Sequence, residues 1–267
     1  PQTNAKEFTF LCRDALAKGC QGLLAIHWRS RDVEEPAAYS AQFAWEPKLT
    51  YEEFYRRFAE KCFGKEHAEE LGAVLRQLES LGPRWTGGGG QSECGLFTWF
   101  EGNELPKEEN LKILAQIRQR LAQIRSQMES SGRLEGLERI SHLITTIDWV
   151  VQYDAAALKL YPGGQVPKLI AEAESLKRKG DAQGAAKKAR EAWDALQSSG
   201  LREAMCAFPV KMTTRGEFGA LATINVKAYG SYLGLEDQIR ALLPAPAAPA
   251  GQSLPDASQA VRRPLHV

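Results

Sequence analysis

The sequence predicts a mainly α-helical protein in which one short βα unit near the N-terminus precedes a helical bundle. Three observations lead there. Apolar residues recur at three- and four-residue spacing over most of the chain after residue 108. A single short apolar run, residues 22–26, reads as a buried strand. Between these regions a Gly-rich, aromatic-rich stretch of about 25 residues breaks the helical pattern, and loops that long in a compact domain are usually functional or disordered.

Residues 4–18 place Phe8, Leu11, Cys12, Ala15 and Leu16 at helical spacing, and Gly19 is positioned to end that helix. The strand at 22–26 follows. After a polar loop, Pro36 sits where a helix can start, and 37–45 reads as a short helix closed by Pro47. Thr50 with Glu53 three residues on forms a capping box, and Phe54, Phe58, Cys62 and Phe63 share a face before Gly64. Residues 66–81 continue as a helix with Leu71, Val74, Leu75, Leu78 and Leu81 inward. Beyond the aromatic loop, long helices are expected over 108–129 and over 133–160, the latter burying Leu137, Ile140, Leu143, Ile144, Ile147 and Val151. Two charged helices flank Gly180, at 165–179 and 181–199, and one or two more lie within 216–243. Together they suggest an antiparallel bundle. The tail from Leu243 is rich in Ala, Pro, Gly and Ser and reads as disordered. The expected division is 1–64, 65–107, 108–243 and 244–267, with no solenoid repeat.

With 43% hydrophobic and 25% charged residues, the chain can bury a real core. Its 34 Lys plus Arg against 33 Asp plus Glu produce no net field, which argues against a nucleic-acid or membrane-surface partner. No window approaches the roughly 18–20 apolar residues of a membrane span, and PQTNAKEF lacks the order of a signal peptide. A start at Pro rather than Met suggests a fragment or processed product. The five cysteines, Cys12, Cys20, Cys62, Cys94 and Cys206, are widely spread without CxxC, so neither a disulfide framework nor a metal site is expected, and no cofactor.

Two clusters could carry chemistry. In LLAIHWRSRD the apolar run ends in groups that bind things. His27 can donate or accept a proton near neutral pH, Trp28 offers a flat apolar platform for a sugar face, and Arg29 and Arg31 can grip a carboxylate or hydroxyls. The alternative is that His27 and Trp28 cap a core while the arginines pair with Asp32, Glu34 and Glu35 at the surface. In RWTGGGGQSECGLFTWFEGNE, Trp85, Phe97, Trp99 and Phe100 interleave with Gln91, Ser92, Glu93 and Glu101. These aromatics either pack beneath the loop or line a glycan-contact surface, where Trp99 or Trp85 stacks and Gln91 and Glu93 read hydroxyls. The four glycines lack the GK[ST] or GxGxxG context of a phosphate loop. Cys94 matches no nucleophile motif. His67, His142 and the SLKRKGDAQGAAKKAR run read as solvated helical positions, and TTRGEFGALATIN as a capped helix start.

GCQGLLAIHWRSR, followed by FAWEPKLTYEEFYRRFAEKCFG, resembles the last βα unit and following helices of large TIM-barrel glycoside hydrolases, broadly those that include α-glucuronidases and β-hexosaminidase-like enzymes. The resemblance covers roughly residues 5–64. It implies that the N-terminal part is the remnant of a (β/α)8 barrel, its strand end pointing into a substrate cleft, with an α-helical C-terminal domain behind it. It further implies sugar hydrolysis by flanking carboxyl groups or by substrate assistance, a carbohydrate substrate, an upstream barrel domain of the same chain, and an extracytoplasmic location. The catalytic carboxylates of such enzymes come from earlier strands, for which this chain has no room before residue 22. Glu34 and Glu35 lie on the right loop without any mark of a catalytic acid. The expected substrate-binding set is therefore His27, Trp28, Arg29, Arg31, Gln91, Glu93 and Trp99, with this portion inactive alone. The competing reading is a non-enzymatic helical scaffold that binds a protein partner. The two differ in the fate of residues 22–26, because an isolated strand leaves its backbone groups unpaired.

Overall fold

The computed structural model describes residues 5–22, 34–81, 108–132, 134, 136–212, 218, 221–222 and 224–244. Among these the chain is helical throughout, with no strand. Of the expected strand only Gly22 is described, outside any regular element, and 23–26 lie outside the described residues. The tail beyond 244 lies outside them as well.

Helix α1, Ala5–Ala17, packs on α2, Glu34–Trp45. The contact centres on buried Cys12, Tyr39 and Phe43, with a 2.7 Å hydrogen bond between the Thr9 and Tyr39 hydroxyls. Helix α2 starts three residues earlier than expected. Pro36 sits in its first turn, where a missing N–H costs nothing, and Glu34 and Glu35 favour the positive end of the helix dipole.

Helices α3, Tyr51–Phe63, and α4, Ala68–Ser80, form an antiparallel hairpin. Gly64, at φ 90°, and a single 3-10 turn over Lys65–His67 make the corner. Thr50 caps α3 as expected, accepting from the Glu53 N–H at 3.2 Å. The other half of the box does not form. The Glu53 carboxylate instead accepts from Arg56 and Arg57 at 2.7–2.9 Å, and those hydrogen bonds hold it down at about 2. Phe54, Phe58 and Phe63 are buried and Cys62 half-buried, as the spacing predicts.

Helix α5, Glu108–Ser130, buries Leu114, Ile117, Leu121, Ile124 and Met128, a strict three-four alternation along one seam. That seam packs against α6, Leu137–Leu160. Gly136, at φ 79°, sets the start of α6. A Cβ there would meet the Cys62 carbonyl at 2.6 Å, so the glycine is what lets α6 begin against the end of α3. Helices α7, Gln165–Arg178, and α8, Ala182–Gln197, form a second hairpin across Gly180, and Asp181 caps α8 by accepting from the Gly184 N–H at 2.8 Å. A helix the sequence reading did not single out, α9 at Leu201–Lys211, lies on α6, where the Trp149 indole donates to the Ala204 carbonyl at 2.8 Å. A π-helical turn over Ile224–Tyr229 leads into α10, Gly230–Leu242, which packs across the α7–α8 hairpin. The buried side chains from Cys12 to Ile239 form one continuous apolar cluster.

Candidate functional site

The residues singled out for sugar binding, His27, Trp28, Arg29 and Arg31 in one segment and Gln91, Glu93 and Trp99 in the other, lie outside the described residues, as do Trp85, Cys94, Phe97 and Phe100. What the structure describes is how both segments are held at their flanks.

The first segment ends at Glu34 and Glu35, in the opening turn of α2. Glu34 engages the Arg139 guanidinium through both oxygens at 2.6 and 2.8 Å, a bidentate pair spanning 105 residues to α6. That hydrogen bonding pushes Arg139 up from its ordinary value. Glu34 thus has a partner in α6, while Arg29 and Arg31, to which one reading offered it, lie outside the described residues. Glu35, 8% exposed, projects its charge onto Tyr55, Cys62 and Arg139.

The second segment begins two residues past Ser80, the end of α4. Close to that end stands Glu79, 4% exposed, although it follows Leu78 on an otherwise apolar face. Its Oε2 accepts from the Tyr51 hydroxyl at 2.8 Å and from the Tyr55 hydroxyl. Burial pushes both phenols far above their ordinary range, reinforced by the adjacent Glu79 carboxylate. Tyr55 also feels Glu35, whereas the further charges acting on Tyr51 are Arg76 and Glu52. Such close packing depends on Gly72, where an added Cβ would stand 3.1 Å from the Arg56 backbone and the Tyr55 carbonyl. With no side chain at that crossing, α4 lies directly on α3 and Glu79 comes within reach of both tyrosines.

Tyr55 is hydrogen-bonded to the end of α4, and Glu35 at the start of α2 adds a smaller upward push to the same phenol. The end of α4 is thereby anchored on a buried polar cluster. Enclosed as they are, Glu35 and Glu79 cannot meet a substrate in this geometry. The cluster can fix the end of α4 on α3. It cannot perform acid–base chemistry on a sugar.

Sequence reasoning missed this cluster. A signal was present: Tyr51 and Tyr55 lie one turn apart, and a glutamate directly follows an inward leucine in α4. Nothing local marks that these positions meet.

Other polar features are less suited to a ligand. A cleft of about 270 Å³ beside Gly72 is lined by Thr50, Glu52, Glu53, Arg56, Glu69 and Arg76, and its carboxylates outnumber its guanidinium groups. Glu236 in α10 pairs with Arg240 and, at 3.6 Å, with Arg202, which also lies 5.0 Å over the Tyr232 ring. This cluster ties α9 to α10. Among the described residues no group of His, Cys, Asp or Glu is arranged to hold a metal ion, and no helix is long and apolar enough to cross a membrane.

The N-terminal helices also leave apolar surface uncovered. Of the face expected on α1, Cys12 is buried and Phe8 and Ala15 are half-buried, but Leu11 and Leu16 are 57% and 58% exposed. Trp45, at the end of α2, is 91% exposed. The apolar arc of α1 is wider than α2 alone can cover.

No known family, curated protein or solved structure matches this chain.

Proposed function

We propose that this chain is the C-terminal portion of a glycoside hydrolase acting on a glycan. In this reading residues 1–64 are the last βα unit of a (β/α)8 barrel and the helices that follow it, His27, Trp28, Arg29 and Arg31 enter the substrate cleft, and Gln91, Glu93 and Trp99 close over it. The catalytic carboxylates come from an upstream barrel domain, so the portion alone is inactive. The observation that carries the reading is the buried Glu79 at the end of α4, which accepts from Tyr51 and Tyr55 and so holds the flank of the second candidate segment. The uncovered Leu11, Leu16 and Trp45 add support, because the helices of a barrel bury just such faces against strands and neighbouring helices.

The test is titration calorimetry of the chain with D-glucuronate, chosen because two arginines suit an acidic sugar, and with D-glucose. Binding that is lost in Arg29→Ala and Trp28→Ala and weakened in Trp99→Ala is expected, without turnover of aryl glycosides. Glucuronate binding unchanged by all three substitutions would refute the assignment. The second reading, a helical scaffold for a protein partner, draws on the same exposed side chains of α1 and α2. If neither sugar binds and Leu16→Glu abolishes capture of a protein partner, that reading prevails.

A further inference from the structure

We infer that α1 and α2 are neighbouring helices of an α/β layer, and that the uncovered apolar arc of α1 docks on a parallel β-sheet. That sheet belongs to the upstream barrel domain of the proposed function, on which this inference rests. The two helices run parallel. The Thr9 hydroxyl meets that of Tyr39 at 2.7 Å, and one turn further along both helices the Arg13 guanidinium lies 6.0 Å over the Phe43 ring. Consecutive helices of a bundle run antiparallel across short turns, as α3–α4 and α7–α8 do. Consecutive helices run parallel when the chain returns between them through a second layer. Here the connection is residues 18–33. To return along the 12 residues of α2 it must cover about 18 Å, which takes about six extended residues. Three passes would take about 17 before any turn, so the connection makes one. Two helices packed about 10 Å apart lie over about four strands, of which one pass supplies at most one and the described residues supply none.

The arc of α1 is shaped for two neighbours. At 100° per residue, Leu11, Ala15, Phe8, Cys12 and Leu16 follow one another round about 140° of the helix. Cys12, toward α2, is buried. Leu11, at the far edge, and Leu16, level with the end of α2, are each more than half exposed. The uncovered part thus continues directly from the α1–α2 contact, where the second layer of an α/β unit belongs.

The experiment co-expresses the full chain with the polypeptide encoded immediately upstream in the same reading frame, made as a separate tagged chain. Size exclusion with light scattering is expected to show a one-to-one complex. Leu11→Glu and Leu16→Glu should each weaken it on the order of tenfold or more, the effect of losing one buried leucine. Both positions are exposed in the chain alone, so these variants fold, as an unchanged thermal midpoint would verify. Val210→Glu, at an exposed valine of α9, should leave the complex intact. Three results overturn the docking: no complex forms, the complex survives both leucine substitutions, or the chain pairs with a second copy of itself through Leu11 and Leu16. Glucuronate binding is measured on the complex and on the chain alone. A complex that needs Leu11 and Leu16 but binds no glucuronate refutes the glycan reading and leaves the docking standing. Glucuronate bound by a chain that forms no complex does the reverse.

Discussion

Asp154, in the second half of α6, has the most sharply defined consequence for stability. It is 6% exposed and has no hydrogen bond or ion pair among the described residues. Burial alone raises its carboxyl from an ordinary 3.8 to about 8. A carboxyl raised in the folded state is bound to its proton there while the unfolded chain has already released it. Its contribution to stability is therefore fully present below pH 3.8 and is lost progressively as pH rises to about 8, after which it changes no further. Each pH unit in that window removes about 1.4 kcal/mol, so at pH 7 the loss is about 4 kcal/mol, an upper bound because local relaxation reduces it. Asp154→Asn keeps the shape and abolishes the titration. Urea unfolding followed by tryptophan fluorescence, with Trp149 stacked 5.1 Å from Tyr153 as a local reporter, gives stability at each pH. The variant and the unaltered chain should coincide near pH 4 and diverge upward, the variant being more stable by up to about 4 kcal/mol at pH 7. Parallel pH profiles would show that Asp154 is ionised in the fold and solvated by a route the burial does not reveal, and the reasoning would fail.

Three further outcomes follow from the same packing. Gly72→Ala should destabilise by about 1–3 kcal/mol, since a Cβ 3.1 Å from the facing backbone must push α3 and α4 apart; a change in urea midpoint equivalent to under about 0.5 kcal/mol would contradict it. Thr50→Ala should cost about 1 kcal/mol through loss of the cap on the Glu53 N–H, and Thr50→Ser should restore most of it, both read by thermal unfolding. Arg139→Ala should destabilise more than the double substitution Glu34→Gln/Arg139→Ala, because the single change strands a half-buried carboxylate; a double-mutant cycle in urea showing a coupling under about 0.3 kcal/mol would remove the Glu34–Arg139 pair from the account.

The helices were legible where their pattern is local. Thr50 three residues before Glu53, the alternation Leu114, Ile117, Leu121, Ile124, Met128, and the glycines at 64 and 180 each announce an element or its end within one or two turns of chain. Errors arose where a tertiary contact decided the boundary. Helix α6 starts at Leu137 rather than residue 133 because Gly136 takes a left-handed turn against the Cys62 carbonyl, and nothing near residue 136 foretells Cys62. Helix α2 reaches back to Glu34 because two glutamates and Pro36 together suit a first turn, whereas proline alone suggested a later start.

The polar cluster was illegible for the same reason, with a larger consequence. In sequence, Glu79 is a surface residue beside Leu78, and Tyr51 and Tyr55 are the amphipathic margin of α3. Only the side-chain-free crossing at Gly72 converts them into a buried carboxylate held by two phenols. A lone carboxylate so enclosed would be costly, and its removal from water is offset only if every donor arrives in place. That requirement makes the α3–α4 contact specific as well as stable, since sliding α4 by one turn would leave Glu79 without its phenols. Specificity of that kind is of little use to a helical hairpin that merely fills space. It has a use where the end of α4 must be held at one position along α3, which is what the Glu79 carboxylate shared by Tyr51 and Tyr55 does.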